Sequence, residues 1–97
     1  MGDFLVEETK SNEHLKMKIK VLLFASFREI VGASELTLTV DDGCTTTTLF
    51  EQLCEKHPQL KLGADQISVA VNKAYISASS ELKDNDEVAF LPPISGG

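Results

Sequence analysis

The sequence predicts an α+β domain in which one main helix packs across a mixed sheet of about five strands, and three stretches carry that expectation. From Glu35 to Val40, apolar Leu36, Leu38 and Val40 alternate with Thr37 and Thr39, the period of a half-buried strand. Leu49, Phe50, Leu53 and Cys54 recur at helical spacing and therefore share one face of a helix. Glu87 to Leu91 is a short apolar run closed by Pro92-Pro93, neither of which can donate to a strand ladder.

Taken in order, residues 1–16 mix Glu7, Glu8, Lys10, Glu13 and Lys16 without a sustained period and read as a flexible extension. The domain is expected over residues 17–91. Lys18 to Ser26 reads as its first strand; it is apolar on both faces after Lys20 and is therefore central or covered by a partner. Phe27 to Ser34 is a short connection with Gly32 as its permissive point, so the first two strands form an antiparallel pair. Asp41-Asp42-Gly43 breaks the second strand. Thr48-Leu49-Phe50-Glu51 has the form of a capping box, and the helix it opens should stop at His57, because Pro58 disfavours helical geometry in the residue before it. Ile67 to Val71 alternates as a third strand, and Tyr75 to Ser77 reads as a short edge strand. Leu82 to Asp86 turns the chain, with Asn85 suited to left-handed geometry. The last strand then runs to Leu91, and residues 92–97 form an extended tail.

Composition narrows the function. With 97 residues, 42% of them hydrophobic and 25% charged, the chain makes one soluble globular domain and has little material for a deep, enclosed active site. A net charge of −6, with no basic cluster beyond Lys16, Lys18 and Lys20, argues against nucleic acid. The apolar run Val21 to Phe27 is far shorter than the roughly 20 residues a membrane span needs. No secretory or lipidation signal is recognisable, so the expected location is the cytosol. Cys44 and Cys54 read as reduced, and with His14 and His57 they lack metal-ligand spacing, so no metal site is expected.

The feature with chemistry in it is the end of the chain. A terminal Gly-Gly arises by chance in about one chain in 200, and here it follows a stiff Pro-Pro segment that would aim it. Without side chains, Gly96 and Gly97 can thread a narrow channel in another protein and present the Gly97 carboxylate at its far end, with Pro93, Ile94 and Ser95 as the lead-in. A carboxylate must be activated before it can be attacked, and an acyl-adenylate made with ATP is the usual route. A sulfur nucleophile would convert that adenylate to a thiocarboxylate, whereas a lysine amine would give an isopeptide. The residues alone leave both outcomes open.

The chain resembles the small sulfur-carrier subunit of molybdopterin synthase, a ubiquitin-like β-grasp family, from about Met17 to Gly97. The resemblance lies in Val21-Leu22-Leu23-Phe24-Ala25-Ser26-Phe27-Arg28-Glu29 with Gly32, in Val69-Ala70-Val71-Asn72, and in the close from Leu82-Lys83-Asp84-Asn85-Asp86-Glu87 through Pro92-Pro93-Ile94-Ser95-Gly96-Gly97. Two turn positions depart from the family pattern, Lys73 and Asn85, where glycine is usual. The resemblance implies a non-catalytic carrier with no permanently bound cofactor. It implies further that a ubiquitin-activating-like adenylyl- and sulfurtransferase uses ATP to adenylate Gly97 and then converts it to a thiocarboxylate. The tail then enters the large, catalytic subunit of the synthase, in a heterotetramer of two large and two small subunits, and gives its sulfur to cyclic pyranopterin monophosphate.

Phe24, Phe27 and Leu91 are apolar beyond the needs of a one-sided sheet; they read either as core or as a docking patch beside the tail. Arg28 and Glu29 read as a local ion pair, His57 as a helix C-terminal residue, and Asp84 and Asp86 as turn formers in preference to a cation site. Three other functions remain open at this level: a ubiquitin-like modifier conjugated through Gly97, a sulfur carrier for thiamine synthesis, and a plain binding module on the same scaffold.

Overall fold

The computed structural model describes residues 16–93; the expected extension, apart from Lys16, and the last four residues of the expected tail lie outside the described residues. Five strands form one mixed sheet: β1 (Lys16–Leu23), β2 (Glu35–Asp41), β3 (Ser68–Val71), β4 (Ala74–Ile76) and β5 (Glu87–Leu91). They lie in the order β2-β1-β5-β3-β4, with β1 and β5 parallel at the centre and the other pairs antiparallel. The main helix, α2 (Thr46–Lys56), covers one face, as the sequence predicts. A shorter helix, α1 (Ala25–Val31), and a 3-10 segment, Pro58–Gln66, complete the fold.

Strand alternation builds the core. Met17, Ile19, Val21 and Leu23 of β1 point inward, while Lys16, Lys18 and Lys20 point to solvent. Val88 and Phe90 of β5 meet Leu49, Phe50, Leu53 and Cys54 of α2 in one cluster. Phe50 stands between the other two core aromatics, with ring centroids 5.9 Å from Phe27 and 5.1 Å from Phe90, both tilted. Such pairs contribute roughly 0.5–1.5 kcal/mol each beyond the area they bury.

Four expectations need correction. The first strand, expected over Lys18 to Ser26, runs from Lys16 to Leu23, because the chain turns into helix α1 at Ala25. The stretch from Phe27, read as a loop, is largely helix α1: Phe27, Ile30 and Val31 fall at i, i+3 and i+4, and Gly32 at φ 86° ends the helix by donating its N–H to the Arg28 carbonyl at 2.8 Å. Seven residues are too few to display a helical period. The N-cap of α2 is Thr45, not Thr48: the Thr48 N–H donates to Thr45 Oγ1 at 3.2 Å. Thr46 is buried and tied to Ser80 by two hydrogen bonds, its N–H to the Ser80 carbonyl at 2.9 Å and its Oγ1 accepting from the Ser80 N–H at 3.2 Å. The connection after α2 is the 3-10 segment, with Leu60 fully buried and Leu62 exposed.

The helix ends at His57 as expected, and β5 spans the predicted residues. Asn72 and Lys73 both take positive φ, 51° and 72°, as the tight two-residue turn joining β3 to β4 requires. Asn85 is left-handed at φ 72°. The carboxylates of this late turn are taken up by protein donors: Asp86 accepts from the Lys83 N–H at 2.8 Å and Asp84 from the Lys18 N–H at 2.8 Å. That is the turn reading of Asp84 and Asp86.

Candidate functional site: the edge where the chain leaves the sheet

Because β1 and β5 run parallel, they finish at the same end of the sheet. Leu23 pairs with Phe90, the last pair of the β1–β5 register, and Phe24 and Leu91 are the residues that follow at this end of the sheet. Leu91 also pairs with Ser68 at the start of β3, which anchors the end of β5 on both sides. Pro92 and Pro93 then stop the ladder, for want of an N–H, and the chain departs from this point. Pro93 is exposed and is the last described residue; Ile94, Ser95, Gly96 and Gly97 lie outside the described residues.

The face of the sheet opposite α2 meets this end. Register places Leu22 beside Ala89, Ala89 beside Ala70, and Ala70 beside Tyr75. Together with Phe24 and Leu91 they form an apolar strip that no other element covers among the described residues. Tyr75 is 72% exposed and Phe24 42%. Lys20 borders the strip between Glu35 and Glu87, at 3.7 and 3.8 Å. The sequence signal for this strip was present, since Leu22 and Phe24 continue the outward phase of Lys16, Lys18 and Lys20, but Ala70 and Ala89 carry no signal of their own.

Phe27 must be removed from the docking patch. It is 1% exposed and packs against Phe50 inside the core, because α1 folds back over the inner face. Of the two readings its sequence allows, core or docking patch, the core reading holds for Phe27. Arg28 and Glu29 make no ion pair with each other. His57 caps α2 and donates its N–H to the Leu53 carbonyl at 2.9 Å.

On the helix side, an open cleft of about 690 Å³ lies between α2 and the segment after β4, with Phe50, Cys54, Val69 and Ile76 among its lining and Glu51 and Lys61 at its rim. Cys54 and Cys44 are buried free thiols. Burial pushes both upward; Asp41 reinforces this at Cys44, and at Cys54 Lys61 opposes it while Glu51 adds to it. Both are held as thiols at neutral pH, in the unreactive form. No group of three or more His, Cys, Asp or Glu poised to hold a metal occurs among the described residues.

A mixed five-stranded sheet in this order, crossed by one main helix and with its last strand central and parallel to the first, defines a ubiquitin-like β-grasp protein. The chain belongs to the ThiS family, whose model matches residues 21–97. It is 38% identical over 92 residues to the molybdopterin synthase sulfur carrier subunit of Arabidopsis thaliana, covering 95% of this chain and 96% of that one. To the protein of the same description from Chlamydomonas reinhardtii it is 42% identical over 83 residues, covering 84% of this chain and all (100%) of that one. Among solved structures, SAMP1 of Haloferax volcanii, a small archaeal modifier protein, superposes with a TM-score of 0.70 at 28% identity, over 82% of this chain and 99% of that one.

Proposed function

We propose that this protein is the sulfur carrier subunit of a molybdopterin synthase and that the Gly97 carboxylate is its working group. The observation that carries the reading is the parallel pairing of β1 with β5, which ends the last strand at the same end of the sheet as Phe24, on the rim of an uncovered apolar strip. A partner that docks on the strip therefore meets the chain exit at the same place. The six residues beyond Leu91 reach about 20 Å when extended, enough to enter a neighbouring subunit. The descriptions of the plant and algal relatives, whose lengths this chain nearly spans, support the same assignment.

The chemistry runs in two displacements. An activating enzyme brings ATP; the Gly97 carboxylate attacks its α-phosphorus, and pyrophosphate leaves. A sulfide-level nucleophile then attacks the acyl carbon and AMP leaves, giving the thiocarboxylate; where the sulfur arrives as a donor persulfide, a second thiol cleaves the acyl disulfide and is itself oxidised to a disulfide with the donor. The thiocarboxylate sulfur attacks a carbon of cyclic pyranopterin monophosphate within the large subunit and displaces an oxygen leaving group from it; water then cleaves the acyl C–S bond of the resulting thioester, which leaves the sulfur on the pterin and returns the Gly97 carboxylate. The catalytic side chains belong to the large subunit, in an assembly of two large and two small subunits acting in the cytosol. On this chain, Phe24 and Leu91 dock, Pro93, Ile94 and Ser95 guide, and Gly96 and Gly97 thread.

Adding one alanine after Gly97 tests this directly. The extended chain should keep its fold and its melting temperature and lose all sulfur transfer; retained transfer would exclude the terminal carboxylate. A second reading, a modifier joined to lysines through Gly97, is favoured by the likeness to the archaeal modifier. It predicts higher-mass, reductant-resistant conjugates of this chain in cell extracts.

A further inference from the structure

Two adjacent residues at the chain-exit end of the sheet break local rules together. Phe24 is the N-cap of α1, a position that favours Ser, Thr, Asp or Asn, and its side chain makes no capping hydrogen bond. Ala25, the first residue of α1, sits at φ 50°, a left-handed conformation that its Cβ disfavours. Among the described residues four non-glycines have positive φ: Asn72 and Lys73 form the β3–β4 turn, Asn85 is in the late turn, and Ala25 alone stands where a strand becomes a helix.

The geometry shows what the unusual pair achieves. Phe24 keeps extended backbone, φ −129° and ψ 155°, so it continues the outward phase of β1 one residue past the Leu23–Phe90 pair, at the end of the sheet where Leu91 follows Phe90. Three residues later, Phe27 is in the core on the opposite side of the sheet. The chain makes that reversal at Ala25, and the Phe24 carbonyl, accepting from the N–H groups of Phe27 at 3.0 Å and Arg28 at 3.3 Å, holds it. Locally unfavourable backbone survives where its surroundings over-determine it, and such residues gather at functional edges.

We propose that Ala25 is a positioning residue: its left-handed backbone fixes Phe24 outward at the end of the sheet where Leu91 follows Phe90, so that the docking contact next to the tail is formed before any partner arrives. The contact's role in docking rests on the carrier reading above; the positioning itself does not. The chain has no tryptophan, so Phe24→Trp supplies a single fluorescent reporter in the free protein.

In that background, Ala25→Gly, which adopts left-handed φ freely, should melt at or above the parent temperature with the same acrylamide quenching. Ala25→Val, whose branched Cβ resists positive φ, should melt about 4–8 °C lower and shift the quenching of the reporter. Ala25→Ser, which carries the same Cβ penalty as alanine, should match the parent and takes the place of the valine variant's baseline if that variant does not fold, with Ala25→Thr as the milder branched probe. Unchanged quenching in a folded branched variant, or an equal shift in the glycine variant, would overturn the proposal. With Phe24 restored, Ala25→Val should bind the activating enzyme or large subunit about tenfold more weakly. A quenching shift with no loss of affinity would leave the positioning intact and refute the docking role of Phe24.

Discussion

The side-chain amide of Asn72 joins the tip of the β3–β4 turn to the start of β5: its Nδ2 donates to Asp86 Oδ1 at 3.0 Å, and its Oδ1 accepts from the Glu87 N–H at 3.0 Å. The Asn72 N–H adds a bond to the Glu87 carbonyl at 2.7 Å. One side chain thus sets the register of the strand that delivers the tail. Asn72→Ala is expected to cost about 1 kcal/mol, read as a drop of about 4–8 °C in melting temperature. Asp86→Ala should cost a similar amount, and the double variant less than the sum, because the two share one contact. Strict additivity would show that the bond is not formed in solution.

Phe24 and Phe27 should respond in opposite ways. Phe27→Ala empties a core site against Phe50 and is expected to cost about 3–5 kcal/mol in chemical denaturation. Phe24→Ala should leave stability within about 0.5 kcal/mol or so and weaken partner binding about tenfold. Isothermal titration on the two folded variants separates the roles.

The cap of α2 can be located by substitution. Thr45→Ala should cost about 1 kcal/mol, whereas Glu51→Ala should change stability by less than about 0.5 kcal/mol, since the cap lies at Thr45. Equal losses at the two positions would restore the Thr48–Glu51 box.

Lys73 occupies φ 72° in the β3–β4 turn, where glycine meets no penalty. Lys73→Gly is expected to raise stability by about 1 kcal/mol without altering sulfur transfer. Urea denaturation and a transfer assay on one preparation check both halves.

Burial raises the folded-state pKa of Cys44 and of Cys54 above the ordinary thiol value of 9.0. A raised folded pKa means the unfolded chain releases these protons first as pH rises. The thiol contribution to stability is therefore fully present below 9.0 and is lost as pH climbs through the raised values. Stability of the double Cys→Ala variant should accordingly show a shallower alkaline decline than the parent, and an identical decline would contradict the assignment.

The extent to which sequence disclosed this structure follows from chemistry at particular residues. The β2 alternation, the stop at His57 and the stop at Pro92 were legible because each rests on a local rule of period or proline geometry. Helix α1 was not, being seven residues long, entered through a left-handed alanine and without a capping side chain. The cap of α2 slipped by three residues because Thr45, Thr46, Thr47 and Thr48 all offer the same hydroxyl, and only the tie between Thr46 and Ser80 sets the register. The parallel pairing of β1 with β5 joins residues more than 60 positions apart, and no local pattern encodes it. For the candidate site, the Gly96-Gly97 motif is read from sequence alone and lies outside the described residues; of the apolar residues grouped with it, Phe24 is exposed at the end of β1 and Leu91 ends β5, whereas Phe27 is buried in the core.

The central claim is that Gly97 carries the sulfur, and intact-mass spectrometry tests it most directly. The native-ended chain is incubated with a molybdopterin-pathway activating enzyme, ATP and a sulfur donor, then fragmented to locate any change. The expected result is a shift corresponding to one oxygen replaced by sulfur, confined to Gly97 and absent without ATP. An unchanged mass, while a control carrier is converted in the same mixture, would contradict it.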